Sequence, residues 1–340
     1  MRLVSIVMPA YNAEATIGLA LGSIINQEAD VAVEVIVVDD GSADRTPEIA
    51  ESYDAVRVLR QANAGPAVAR NRGAAQATGD VVVFIDSDCE ASPGWLAEML
   101  APFADPSVTA VKGAYRTRQT ALTARFVQLE YEDKYDRMAS REHIDFVDTY
   151  SAAFRRDAFV ASGGYSAAFD LPSAEDVDLS YRMASAGALM VFRPQAIVYH
   201  RHPDRLGAYL RKKARFASWR VLAVRRNPGK AISDSHTPQL MKVQALAAPA
   251  IPILAAATPF APAAGIAAAA LAGAFAASTV PFTAKAYRKD RAVGLASPVL
   301  LYLRGVAQGI GLVSGVIRVA FSAEASRSEA VAAPADRRTA

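Results

Sequence analysis

Over the first 235 residues apolar positions fall in short solid blocks rather than singly. Residues 3–8, 33–38, 56–59 and 81–85 are almost wholly apolar, the pattern of strands buried on both faces. Between them, 15–26, 46–52 and 66–77 read as helices, and the alternation predicts an α/β fold with a mostly parallel sheet flanked by helices. Residues 119–140 carry Leu122, Phe126, Leu129 and Tyr135 at helical spacing, and 189–192 with 197–199 read as the last strand. Polar groups collect just past the carboxyl ends of the apolar runs, where open α/β sheets bind ligands.

The pattern changes after residue 242. From 243 to 284 there is no charged residue, only Ala-rich apolar sequence interrupted by Pro259 and Pro262. A membrane span needs roughly 20 apolar residues, so this stretch predicts two spans and a turn. Arg225, Arg226, Lys230 and Lys242 precede it, and Lys285, Arg288, Lys289 and Arg291 follow it. Both ends of such a hairpin belong in the cytoplasm by the positive-inside bias. Residues 292–321 are also apolar but hold Arg304 near their centre, with Gln308, Gly311, Gly315 and Arg318 on the same helical face. That face suits either an interfacial helix or a third span packed on the hairpin. The expected organisation is a soluble domain at 1–235, transmembrane or interfacial helices at 236–321, and a disordered tail at 322–340. A strand starting at residue 3 leaves no room for a signal peptide, which keeps the large domain cytoplasmic.

Composition then closes off several functions. The chain has 340 residues, 52% of them hydrophobic, and that average conceals an ordinary soluble composition followed by a lipid-like segment. With 37 basic against 34 acidic residues the net charge is +3, which argues against nucleic acid as a partner. The single cysteine, Cys89, excludes a disulfide scaffold and a cysteine-rich zinc site, and it reads as a small buried residue. No Gly-x-Gly-x-x-Gly follows the first strand and no Gly-Lys-Ser/Thr occurs, so dinucleotide and P-loop readings lose their support.

Carboxylates at strand ends carry the remaining chemistry. Asp86-Ser87-Asp88 follows a buried strand, and two carboxylates on such a turn can hold Mg²⁺ or Mn²⁺, which prefer oxygen ligands and bridge phosphates. Asp39-Asp40-Gly41-Ser42 is a second acidic strand end, suited either to a base or ribose or to an ordinary turn. Tyr11 offers a stacking ring beside it. Arg70 is either a phosphate contact or a solvated helix charge. Glu175-Asp176 opens a helix and by itself reads as capping. His200 and His202 end the last strand, where one can reach a metal or diphosphate. Tyr131, Glu132 and Tyr135 are either acceptor contacts or packing, and Trp95 reads as packing.

In this order, Pro9-Ala10-Tyr11-Asn12, Val37-Val38-Asp39-Asp40-Gly41-Ser42-Ala43-Asp44, Asn63-Ala64-Gly65 with Ala69-Arg70-Asn71-Arg72-Gly73, and Phe84-Ile85-Asp86-Ser87-Asp88 resemble a family 2 glycosyltransferase. The resemblance runs from residue 3 to about 202. It implies a GT-A fold and a nucleotide-diphosphate sugar donor, UDP being the commonest in the family. It assigns Pro9, Tyr11 and Glu14 to the base and ribose pocket, Asp40 to the nucleoside, and Asp86 and Asp88 to ribose and metal. It also makes Asp176 the general base of inverting transfer, with Glu175 orienting it. Processive synthases of the family carry Gln-x-x-Arg-Trp near Arg215 and Trp219; here those two are four apart and the Gln is absent, which argues against processivity. Arg215 and Trp219 remain donor contacts, and the basic residues of 211–220 otherwise suit anionic headgroups. A general base favours a hydroxyl acceptor, lipid-linked or polysaccharide, over the already ionised phosphate of a polyprenyl-phosphate sugar synthase. A membrane-tethered, non-catalytic sugar-binding module is the alternative of another class.

Overall fold

The computed structural model describes residues 3–168, 174–230, 234–235 and 237–332, with side chains as far as Phe321. Eight strands, β1 (Leu3–Ala10), β2 (Ala32–Asp39), β3 (Val56–Arg60), β4 (Val81–Ile85), β5 (Cys89–Ala91), β6 (Val108–Arg116), β7 (Ser151–Arg155) and β8 (Leu189–His200), form one sheet. Its order is β3-β2-β1-β4-β7-β6-β8-β5. Helices α1 (Ile17–Ile25), α2 (Thr46–Glu51), α3 (Pro66–Gln76), α4 (Trp95–Leu100), α5 (Leu122–Ala139), α6 (Arg156–Ala161), α7 (Glu175–Ser185) and α8 (Leu206–Arg226) belong to the same unit. The α/β reading holds, and so does the parallel pairing of β1 with β2 and β4 and of β2 with β3. Past β4 the sheet is mixed: β7 runs antiparallel to β4 and β6, and β5 antiparallel to β8. Pro9 sits in central β1 without disrupting the ladder, because β4 pairs β1 only from Val4 to Val7. The two segments read as the last strand are one strand, broken in register around Pro194 between the Phe192 and Ile197 pairings.

The core lies on both sides of β1, β2 and β4, whose apolar residues from Val4 to Met8, Val35 to Val38 and Val81 to Ile85 are buried. Gly73 lets α3 press against Val7 and Val38, where a Cβ would collide. Trp95 is buried, as expected, and its indole N–H donates to Ser151 Oγ at 2.8 Å.

Three further helices follow, α9 (Gln239–Ala257), α10 (Pro262–Lys289) and α11 (Arg291–Ala332), each long and apolar enough to cross a membrane. The hairpin turn falls at 258–261, with Pro262 in the first turn of α10. The backbone of α11 is helical through Ala332, where a disordered tail was expected from residue 322; residues 333–340 lie outside the described residues.

These helices are bolted to the soluble unit by charge. Along α5, Glu132 pairs with Lys289 at 2.5 Å, Asp133 and Asp136 pair with Lys285 at 3.0 and 2.6 Å, and Arg125 pairs with Asp290 at 2.7 Å. Deeper in, Arg304 is buried and donates to Glu130 at 2.7 Å and to Gln244 Oε1 at 2.5 Å. Glu130 also accepts from Tyr209 Oη at 2.9 Å and pairs with Lys213 at 3.0 Å. The central arginine of the apolar stretch is therefore aimed at α5 of the α/β unit. A small apolar core of Phe126, Val127, Tyr209, Ala286, Val293, Leu300 and Leu301 surrounds the network. Burial pushes Glu130 up, but Lys213 and Arg304 outweigh it and hold the carboxyl at about 2, against an ordinary 4.5.

Because that pKa is depressed, the network stabilises the fold fully above pH 4.5 and loses its contribution as the pH falls toward 2. Glu130→Ala leaves a buried arginine unpaired and should cost about 3–5 kcal/mol. Thermal unfolding in detergent should show that difference at pH 7 and show it shrinking below pH 4.5. Equal melting of the two proteins at pH 7 would remove the network from the account of stability.

Candidate active site

Strand ends of β1, β2 and β4, the start of α7 and one wall of α8 enclose a cavity of about 920 Å³. Its donor-side wall includes Pro9, Tyr11, Asp40, Arg70, Asp86 and Asp88. Asp40 is buried at the end of β2, where Gly41 with φ 79° turns the chain tightly against Asn63. Its carboxylate accepts from Gln61 Nε2 at 2.7 Å and from the Ala64 and Gly65 amides, both at 2.9 Å. A carboxylate has about four acceptor positions, so one stays open to a ligand donor.

Glu14 takes a different place from the one expected. It accepts from the Arg45 amide at 3.2 Å while its own amide donates to Asp44 at 3.1 Å, which ties the loops after β1 and β2 together outside the cavity lining. Asn12 reinforces that tie, accepting from the Ala43 amide at 2.9 Å.

Arg70 is neither a solvated helix charge nor an open phosphate contact. It is buried, and its guanidinium donates to Asp86 at 2.6 Å and to Glu175 at 3.4 Å. It thereby joins the end of β4 to the first turn of α7. The same contact occupies Asp86 Oδ1.

The groups that could hold a metal are Asp88, Cys89 and His200, whose ligand atoms lie within 4.8 Å of one another. Pairing of β5 with β8 sets Cys89 opposite His200, and His200 Nδ1 is 3.4 Å from Asp88. Burial first, and then Asp88 and Asp86, push the Cys89 thiol well up, and a thiol is the soft donor of the three, the one least suited to Mg²⁺ or Mn²⁺. Asp88 and His200 offer a carboxylate and an imidazole at the cavity wall, a donor set that fits a divalent cation such as Mn²⁺. His202 is buried instead, 3.1 Å from Gln128 Oε1 and stacked on Tyr131. Burial, His200 and Lys212 push it down to about 3, so it is neutral.

Asp176 faces the cavity from the first turn of α7. Burial, followed by the charges of Glu175 and Asp148, raises its pKa well above the ordinary carboxylate range. Asp148 was missed in the sequence. It lines the cavity and is paired with Lys112, a fully buried lysine of β6 whose ammonium also donates to Tyr150 Oη at 2.9 Å. A lone lysine inside the apolar run of β6 was the one available signal. Of the α5 trio only Tyr131 lines the cavity; Tyr135 is buried with its hydroxyl 2.8 Å from the Tyr115 amide, and Glu132 serves the α10 contact.

Lys134, Lys212, Lys213, Arg215 and Arg220 form a cationic wall on α5 and α8. The α8 residues therefore face the cavity rather than a membrane surface. Burial, Lys213 and the other nearby cations push Lys134 down to about 7. Trp219 lies outside the cavity lining, with the Arg318 guanidinium 4.1 Å from its ring centre. Beyond the cations the wall turns apolar, at Val221, Val224, Met241, Ala245, Leu246 and Leu312.

Residues 5–162 match the family described as glycosyl transferase family 2. The pre-mycofactocin glycosyltransferase of Mycobacterium tuberculosis is 30% identical over 207 residues, which is 58% of this chain and 44% of that protein. The chain thus spans under half the length of that relative. Glycosyltransferase AglE of Haloferax volcanii is 29% identical, covering 64% of this chain and 73% of its own. A mannosyltransferase from Pyrobaculum calidifontis, solved with GDP-Man and Mn²⁺, superposes with a TM-score of 0.60 at 23% identity over 91% of this chain and 86% of that one. That likeness extends the shared fold into the C-terminal helices.

Asp88→Asn and His200→Gln should each weaken Mn²⁺ binding at least about tenfold in a spin-resonance titration, whereas Cys89→Ser should leave it within twofold. Equal loss in the Cys89 variant would make the thiol a ligand.

Proposed function

Residues 5–162 form a family 2 glycosyltransferase domain on a GT-A fold, and from that premise we propose an inverting, metal-dependent transfer of sugar from a nucleotide-diphosphate sugar to a hydroxyl of a lipid-linked acceptor. The observation that carries it is the position of Asp176. It lies in one cavity with the strand-end acids on one side and a cationic, then apolar, wall on the other.

Each part has a role that its surroundings support. Asp40, with its one open acceptor position, takes the nucleoside, and Tyr11 and Pro9 border the ring. Arg70 holds Asp86 and Glu175 in their charged, fixed positions, so that Asp86 meets the ribose and Glu175 keeps Asp176 in register. Asp88 and His200 would hold a divalent cation, which when bound would supply charge neutralisation for the departing diphosphate. Lys212 and Arg215 face the same region from α8. Asp176 accepts the proton of the acceptor hydroxyl as that oxygen attacks the anomeric carbon from the face opposite the leaving group. Its raised pKa makes it a stronger base, and it works only once ionised.

The acceptor side is graded from charge to hydrocarbon. Lys134, Lys213 and Arg220 suit the phosphate of a lipid carrier, and the apolar residues of α8, α9 and α11 suit its chain. That grading favours a lipid-linked acceptor over a free polysaccharide. The same cations also favour, as a second reading, direct transfer to a polyprenyl phosphate, which needs no base. Basic residues at both ends of the α9–α10 hairpin support the cytoplasmic face of the inner membrane.

Transfer by membranes carrying Asp176→Asn, assayed with UDP- and GDP-sugars and Mn²⁺, should fall by about 10²–10⁴ with donor affinity unchanged. In the wild type kcat/KM should rise with pH through an acid limb above the usual carboxylate range. Normal transfer by the variant would exclude the base role and favour the phosphate acceptor; no turnover by the wild type with any donor would favour a binding module. Lys134→Met should raise the acceptor KM about tenfold or more and leave the donor KM alone; an equal effect on both would place Lys134 with the donor.

A further inference from the structure

The direction of α11 is written in its glycines. Gly305 is pressed against Gln244 and Ala248 of α9, and Gly309 against Ala245 and Pro249. Four residues along α11 thus move the contact by only one residue along α9, so the two helices cross steeply. On its other side Gly311 meets Ala214 of α8 and Gly315 meets Ser218, so closely that a Cβ at either would collide with α8 backbone. There, four residues along one helix match four along the other, and the helices run side by side. Arg225 continues the contact, donating to the Val319 carbonyl at 3.2 Å.

That geometry decides between crossing and lying flat. Helix α8 carries seven Lys and Arg residues, among them the Lys212, Arg215 and Arg220 of the cavity wall, and cannot sit in hydrocarbon. A helix lying along it stays at the same level. The face of α11 turned to α8 and α9 holds the glycines, while Ile310, Val313, Ile317 and Phe321 form an outward stripe, each at least 50% exposed. This is the two-faced character of an interfacial helix. By contrast α9 and α10 are apolar on nearly all sides, and only 17% of each apolar window is buried against 44% for α11.

We propose that α11 does not cross the bilayer but lies along its surface beneath the catalytic unit, with its Ile310–Phe321 stripe in the headgroup and upper acyl region. The α9–α10 hairpin is then the sole crossing among the described residues, and α8 and α11 on either side of it share one face of the membrane. Leu246 and Leu312, at the apolar end of the cavity, come to the level where lipid enters. The proposal rests on the membrane reading given above but not on the acceptor.

The test uses the full chain in sealed, oriented membrane vesicles. One epitope is inserted after Phe260 in the hairpin turn and another is appended after Ala340, with protease accessibility read from the catalytic side. The expected result is a protected turn epitope and a cleaved terminal epitope. A protected terminal epitope makes α11 a third span and overturns the proposal. Cleavage of both also overturns it, because the hairpin then does not cross. In that case, release of the protein by carbonate washing would overturn the membrane-anchored enzyme reading as well, whereas retention would leave that reading standing.

Discussion

Six carboxylates, Asp40, Asp86, Asp88, Asp148, Glu175 and Asp176, share one cavity, and their mutual repulsion is the constraint that the rest of the site answers. Arg70 answers it most directly. A single buried guanidinium holds Asp86 and Glu175 from opposite sides, so the end of β4 and the start of α7 cannot drift apart without exposing like charges to each other in a poorly solvated place. Lys112 does the same for Asp148. Asp176 has no ion pair of this kind among the described residues, and burial first, then the charges of Glu175 and Asp148, raise its proton affinity. Loss of any one cation would therefore alter the base as well as the local fold.

A second buried charge, Glu130, organises the other half of the molecule. It draws together Tyr209 and Lys213 of α8 and Arg304 of α11, and through Arg304 it reaches Gln244 of α9. Lys213 belongs both to this cluster and to the cavity wall. The three C-terminal helices and the cavity wall thus share one electrostatic element.

Strand ends were legible in the sequence because apolar runs fix where a buried strand stops, and Asp40, Asp86 and Asp88, which follow such runs, line the cavity. Asp176 opens α7, where the sequence by itself reads as capping and only the family resemblance singles it out. Glu14 and Arg70 were misplaced for a different reason. Each lies beside a ligand-binding motif in sequence, but its side chain is claimed by a partner from elsewhere in the chain, Arg45 in one case and Glu175 in the other. Asp148 escaped notice because its loop has no periodicity and its partner lies on β6. Arg304 stands out in an apolar stretch that suits either an interfacial helix or a third span; the residue that explains it is Glu130, far away in sequence and on a helix whose stripe reads as plain packing. Pairings between distant segments are what hydropathy patterns omit.

The row of ion pairs along α5 has a consequence for which acceptors can be used. By clamping the end of α10 to the helix that also carries Tyr131 and Lys134, it would, in the proposed orientation, set a constant height for Asp176 above the lipid plane. In the proposed orientation the enzyme behaves as a ruler. A lipid whose reactive hydroxyl stands at that height is met by lateral diffusion alone. Under that proposal an acceptor would be selected first by the height of its hydroxyl above the surface and only then by its contacts.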